Sequence, residues 1–385
     1  MHQASAGTVL REWGRLGWIG FGGPPTHIAL LRDLCVTRRG WMGDGDFEDA
    51  VAACNLLPGP ASTQMAIYCA WRVRGPLGAV VGGLGFVVPG LLVMLVLAAI
   101  FLADDPPAAI MGAAAGAGAA VAAVAVHAGT GLIPASYGRA AGRVRWGVYL
   151  ALGALAAPSI GPWLVLVLIA CGAAEVAWRR AGAARARGDG VAGSHAWPLL
   201  LAAVPATGGL GALAWVALKV GALSYGGGFV IIPLMQGDAV DRYGWMTDTQ
   251  FSGAVALGQV TPGPVIHTVT AVGYAAAGTG GALLAAAVAF APSFAFVLAG
   301  AGRFDALRGN AAVRAFLDGA GPAAIGAILG SAVLLASGVQ EAWQWAVLAG
   351  AAVLLLAARR GVVLTLLLAG AAGLVVALAG GPLPR

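Results

Sequence analysis

Charge is scarce in this chain. Only 10% of its 385 residues are Asp, Glu, Lys or Arg, against about 25% in a soluble domain. With 59% hydrophobic residues and a mean hydropathy of +0.86, a soluble globular fold is excluded and an integral membrane protein is expected. The acids are scattered and mostly near loops, which argues against the converging carboxylates or metal set of a membrane hydrolase. Cys35, Cys54, Cys69 and Cys171 lack metal-ligand spacing and read as small buried hydrophobes. No cofactor, metal or catalytic residue is therefore expected. Lysine occurs once, at Lys219, and the remaining basic residues are arginines set mainly in short loops between apolar runs. That placement fits membrane orientation rather than nucleic-acid binding. The amino terminus also lacks the basic-then-apolar order of a cleavable signal.

What the chain does have is a duplication. Gly17 to Ala61 falls on Gly221 to Val265 without a gap, an offset of 204. The uncommon residues recur: Gly22-Gly23 on Gly226-Gly227, Gly40-Trp41-Met42 on Gly244-Trp245-Met246, and Pro58-Gly59-Pro60 on Pro262-Gly263-Pro264. Apolar runs occur near 76–102, 106–133, 146–158 with 160–178, 282–301, 310–336, 341–358 and 361–380, beside Gly- and Pro-interrupted runs near 8–31, 47–71, 212–235 and 250–274. The expected organisation is a first repeat over 1–178, a cytoplasmic Arg-rich linker over 179–196, an extra crossing segment over 197–211 and a second repeat over 212–385.

Arginine fixes the expected topology. Loops at Arg72–Arg74, Arg139–Arg145, Arg179–Arg187, Arg303–Arg308 and Arg359–Arg360 are basic, whereas those at 104–107, 157–162, Ala275–Gly281 and Ser337–Glu341 carry no Arg or Lys. Placing the basic loops in the cytoplasm alternates correctly through both halves. The loop after the second broken segment then lies inside in one half and outside in the other. The expected fold is thus an all-α polytopic membrane protein of two inverted, antiparallel repeats. Each has about six segments, one extra span lies between them, and Gly/Pro-broken helices form the core. The amino terminus is cytoplasmic and the carboxyl terminus periplasmic. Arg38-Arg39 fits poorly if the first broken segment crosses fully, so re-entrant segments remain an alternative.

Helix breakers at corresponding positions of two halves point to a transporter's binding site. Each Pro-Gly-Pro removes amide donors from an apolar helix, and unwound backbone survives in a membrane only inside protein or beside a water-filled cavity. A helix restarting after Pro60 or Pro264 offers unpaired N–H groups and a positive dipole end, which suits an anion. Ser62, Thr63 and Gln64 add donors in one half, His267 and Thr268 in the other, with Asn55 and Gln259 at the same position across the break. In the first broken segment Arg15 precedes Gly22, Gly23 and His27, and Lys219 stands where Arg15 does. Either cation can snorkel or face a cavity. A packed, hydrogen-bonded His27 and plain proline kinks are the bland alternatives. Asp318 is the most interior acid. It is a candidate proton relay, or an ion-pair partner of Arg314 one turn earlier. Thr247–Gln250 has capping-box spacing, and Gly112/Gly116 and Gly326/Gly330 mark close helix packing.

Phe21-Gly22-Gly23-Pro24 with His27, Arg39-Gly40-Trp41 with Phe47, and Leu57-Pro58-Gly59-Pro60 with Ser62 and Gln64 together resemble the chromate ion transporter family in its two-domain form. The second-half copy and Pro89 and Pro292 fit as well. The resemblance implies a bacterial inner-membrane carrier exporting chromate, with sulfate as a similar tetrahedral dianion, and antiparallel halves. Its partners would be the oxyanion and the lipid bilayer, without nucleic acid; a homodimer is left open. A carrier or channel for another small anion is the alternative, and a membrane enzyme the more distant one. The chain departs from the family pattern at Gly40 and Pro25, and Gly228 and Ile231 replace Pro24 and His27 in the second half, so the halves are not expected to work equally.

Overall fold

The computed structural model describes residues 4–54, 59–103, 106–160, 163–187, 209–224, 231–301 and 310–384. Among them every regular element is helical. The first half runs α1 (Ala6–Ile19), α2 (Pro24–Arg32) with a π-helical turn (Asp33–Arg38), α3 (Asp44–Cys54), α4 (Ala61–Phe101), α5 (Ala108–Gly138), α6 (Arg143–Ile160) and α7 (Leu164–Arg187). The second runs α8 (Leu210–Leu223), α9 (Ile231–Gln236) with a π-helical turn (Gly237–Arg242), α10 (Asp248–Val260) and a 3-10 turn (Val265–His267) leading into α11 (Thr268–Gly300). It ends with α12 (Ala311–Ser337), α13 (Ala342–Ala352) and α14 (Val362–Leu378). The expected linker begins as the end of α7, whereas 188–196 and most of the extra crossing segment lie outside the described residues.

The duplication is written into the backbone. Both π-helical turns close with the same bonds, Trp41 N–H to the Cys35 carbonyl and Trp245 N–H to the Ala239 carbonyl, each 2.7 Å. Gly40 and Gly244 then turn at φ 57° and 59°, values that a residue with a Cβ rarely adopts. Thr247 and Gln250 form the capping box expected at the start of α10.

Four stretches are long and apolar enough to cross a bilayer by length and composition: Ala61–Phe101, Ala108–Gly138, Val265–Gly300 and Ala311–Ser337. Shorter apolar helices cover Leu210–Leu223, Ala342–Ala357 and Val362–Leu378. The first and third of the long ones are folded back on themselves. Arg74 and Gly75 leave helical geometry inside α4, as Ala277 and Gly278 do inside α11. Beyond the bend, Gly82 lies against Ala70 and Gly83 against Ile67, and in α11 Gly281 lies against Gly273. Residues 70 and 82 of a straight helix would stand about 18 Å apart. Each Pro-Gly-Pro therefore leads into a short helical arm, a glycine turn and a long arm. The loops expected at Arg72–Arg74 and Ala275–Gly281 are these turns.

Around this centre the halves exchange partners. α5 and α12 are equivalent helices and pack on each other, with Gly129 against Ile328 and Leu329. α5 also carries α13 and α14 of the second half, and α12 carries α6 and α7 of the first. The contacts use small residues, as expected in a membrane. Gly112 and Gly116 lie on Gly373 of α14, and Gly326 and Gly330 lie on Leu150 and Ala154 of α6. A Cβ at Gly326 would sit within van der Waals overlap of the Leu150 carbonyl and 2.8 Å from the Ala154 nitrogen. Gly326→Leu is thus expected to cost about 1–3 kcal/mol from overpacking, read as a lower thermal midpoint in detergent. Gly350→Leu on α13, where a Cβ meets nothing within 4 Å, should stay near wild type.

Candidate anion site at the crossed helix breaks

α1 buries Val9, Glu12, Trp13, Leu16 and Gly17, a stripe at helical spacing. Trp13 Nε1 donates to the Ala66 carbonyl (2.8 Å) on the short arm of α4, and Gly17 lies on the backbone of Gly85 and Phe86 of the long arm. This packing delivers the end of α1, Gly20, to the molecular centre. Gly22 and Gly23 follow at φ 97° and 78° and turn the chain into α2, bringing buried His27 back so that its Nε2 donates to the Gly20 carbonyl at 2.8 Å.

The same carbonyl takes a second donor from the other half. Gly263 N–H, in the second Pro-Gly-Pro, donates to Gly20 O at 2.8 Å. The opposite break is placed reciprocally. A Cβ on Gly59 would lie 3.3 Å from the Gly221 carbonyl of α8 and 3.4 Å from Ser293 Oγ of α11. Each break thus meets the first helix and the long arm of the opposite half. Gly90 on the long arm of α4 faces the Pro262 carbonyl and the His267 ring, with no space for a side chain.

Both breaks lead into helix starts without a side-chain cap, at Pro60 and Pro264, so the first amides of each have no acceptor within the helix. Ser62, Thr63 and Gln64 occupy the first turn after Pro60, all buried, and His267, Thr268 and Thr270 are buried after Pro264. Thr268 Oγ1 is spent on the Val265 carbonyl (3.0 Å). Several others are not spent. Thr63 Oγ1, Ser224 Oγ, Gln259 Nε2, Thr270 Oγ1, Ser293 Oγ, His27 Nδ1 and both ring nitrogens of His267 are buried without a hydrogen bond. Native interiors satisfy nearly all such groups. These unspent polar atoms, most of them donors, lie on the segments flanking the two uncapped helix starts.

The structure redistributes other expected residues. Arg15 is exposed, on the side of α1 opposite its buried stripe. Lys219 is buried, but its ammonium is paired with the buried Asp238 of the second π-helical turn, so its charge is already met. In the first half a buried acid, Glu12 on α1, pairs instead with Arg39 after the π-helical turn. The two halves thus make the same tie with opposite polarity. Asp318 accepts from Arg179 Nη2 (2.7 Å), and Arg179 joins Arg145 on the buried Glu175. The Asp318–Arg179 bond ties α12 to α7. Asn55, Pro58, Gly226 and Gly227 lie outside the described residues.

Sequence reasoning missed Ser224, Ser293, Gly90, Asp238 and Glu175. Ser224 was within reach, since it stands opposite Gly20 at the offset of 204, and Ser293 follows Pro292. Nothing local marks Gly90 or the acid partners.

The profile of the family described as chromate transporter matches residues 7–176 and 211–374. The chain belongs to that family. A chromate transport protein of Cupriavidus metallidurans is 33% identical over 84% of this chain and 80% of its own length. One of Pseudomonas aeruginosa is 31% identical over 85% and 80%, and a probable chromate transport protein of Synechococcus elongatus is 29% identical over 83% and 82%. No solved structure shows a significant match. The chain is therefore a multi-pass membrane protein of a transporter family, and the unmatched stretch between the two segments coincides with the junction of the duplicated halves.

Proposed function

We propose that this protein is a secondary carrier for chromate in the bacterial inner membrane, exporting it and so conferring chromate resistance, and that it accepts sulfate-like tetrahedral dianions at the same place. The observation that carries this reading is the set of buried, unspent donors where the two Pro-Gly-Pro breaks cross. The contacts we assign are the backbone amides after Pro60 and Pro264 with Thr63, Ser224, Gln259, His267, Thr270 and Ser293. Arg15 and Lys219 are left out because one is exposed and the other neutralised. Asp318, tied to Arg179, is read as structural. A membrane potential negative inside supports export, since it drives a dianion outward at about 2.3 kcal/mol per charge per 100 mV. We read the halves as antiparallel, with the amino terminus cytoplasmic and the carboxyl terminus periplasmic, on the alternation of the arginine loops. Rocking of one half against the other would then expose the crossing to each side in turn.

The test is chromate uptake by vesicles reconstituted with purified protein, with sulfate, phosphate, molybdate and organic anions as competitors. Ser293→Ala and Thr63→Val should each raise the half-saturating chromate concentration about tenfold or more, the equivalent of a hydrogen bond to a charged group. Unchanged half-saturation in both would remove the crossing as the site. Inhibition by an organic anion at lower concentrations than by sulfate would give the fold a different substrate.

A further inference from the structure

Two imidazoles flank the Gly263–Gly20 hydrogen bond between the halves. His27 spends Nε2 on the Gly20 carbonyl, the acceptor of Gly263 N–H, and so keeps Nδ1 as a bare acceptor. His267 lies on the other side, its Nε2 3.4 Å from where a Cβ of Gly263 would be. It is fully buried, stacked obliquely on Phe290 at 5.0 Å, with neither ring nitrogen in a hydrogen bond. The Val87 carbonyl is near but outside hydrogen-bond geometry.

Leaving an imidazole buried with an unspent donor and an unspent acceptor is costly for a group whose only role is packing. The cost has a use if the ring takes up a proton only when an anion arrives. In an apolar interior a lone imidazolium is strongly disfavoured, and so is a dianion held by neutral donors alone; together each offsets the desolvation of the other. Charged groups on the helices packed against α11 already have partners. Lys219 on α8 is held by Asp238, Asp248 on α10 bonds Gln236, and Arg72 on α4 is held by Asp46. The other ring beside the Gly20–Gly263 bond is that of His27. Because like charges on the two rings repel, the pair holds one proton rather than two.

We propose that His267, assisted by His27, is a proton-binding site that loads together with the anion, making the protein a proton–anion cotransporter. The proposal rests on the anion reading of the crossing. The proton comes from water on the loading side, sits on the free nitrogen of His267 as a donor to the anion, and returns to water on the release side. One proton leaves the dianion complex net negative, so the membrane potential still drives it outward.

The test uses reconstituted vesicles with a trapped pH dye, in a pH range above chromate's own titration. In the wild type, chromate uptake should acidify the lumen, and the half-saturating concentration should rise about tenfold per pH unit, as reciprocal linkage of one proton to one anion requires. His267→Gln keeps hydrogen-bonding capacity without titrating, so whatever chromate exchange it supports should show neither the acidification nor the pH slope. Ser293→Ala should weaken binding with the slope intact, which separates a proton site from a mere contact. Wild-type uptake without acidification, or His267→Gln with the slope unchanged, would overturn the proton site and leave the carrier standing. Absence of wild-type chromate exchange would overturn both readings. If His267→Gln does not fold, the wild-type dye signal alone decides.

Discussion

Asp238→Asn is expected to destabilise the protein by about 3–5 kcal/mol, the cost of breaking a buried ion pair by removing one partner. Asp238 is fully buried and its carboxylate faces Lys219, itself 8% exposed. The neutral amide would leave an ammonium in an apolar interior, where it must either lose its proton or drag in water. The readout is the thermal midpoint in detergent, together with the recovery of monodisperse protein. The double variant Lys219→Met with Asp238→Leu tests the cause. Apolar residues of similar size often replace a buried pair at no loss, and the first half already has Leu34 at the position of Asp238. Recovery of the midpoint in the double variant but not in either single one identifies the pair as a structural tie. A double variant that is stable and still transports chromate also establishes that Lys219 does not hold the anion.

Gly90→Val should cut transport sharply while leaving the fold assembled. A Cβ at Gly90 would stand 2.7 Å from the His267 ring and closer still to the Pro262 carbonyl. Neither can retreat easily, because Gly263 next door is bonded to Gly20 and the ring is wedged against Phe290. Overpacking of this kind costs about 1–3 kcal/mol, equivalent to about 5–150-fold in a rate or affinity. At a site where two broken segments must meet and part, the loss falls on function first. Chromate flux per folded molecule is the measurement, with size-exclusion behaviour as the control. Near wild-type flux in a well-folded Gly90→Val protein would mean that the crossing opens elsewhere.

Much of this centre was legible in the sequence because glycine and proline act locally. Positive φ at Gly40 and Gly244, Gly59 and Gly263, and Gly75 and Gly278 follows from steric rules that need no tertiary context. The same holds for the small-residue faces of α5 and α12, since Gly112, Gly116, Gly326 and Gly330 announce close approach without saying to what. Charge behaved differently. Arg15 and Lys219 occupy equivalent positions, yet one is exposed and the other buried on an acid, because the partner is set by a turn about twenty residues later. Leu34 and Asp238 make that difference, and the offset alignment pairs them without showing that Asp238 faces Lys219 on α8. Ser293 and Gly90 reach the site along the long arms of α11 and α4, so their role depends on the fold-back at Gly278 and Gly75. Side-chain direction after a reversal is the information a one-dimensional pattern loses.

The exchange of partners between halves has a consequence for synthesis. The glycine face of α5 that receives Gly373 is made well before α14, which covers it, leaves the ribosome. During that interval α5 must wait in the lipid with its small-residue groove open, while α12 finds α6 and α7 already in place. Assembly is therefore ordered from the second half back onto the first, and a chain interrupted before Val362 would hold an intact pair of breaks inside a bundle that cannot close.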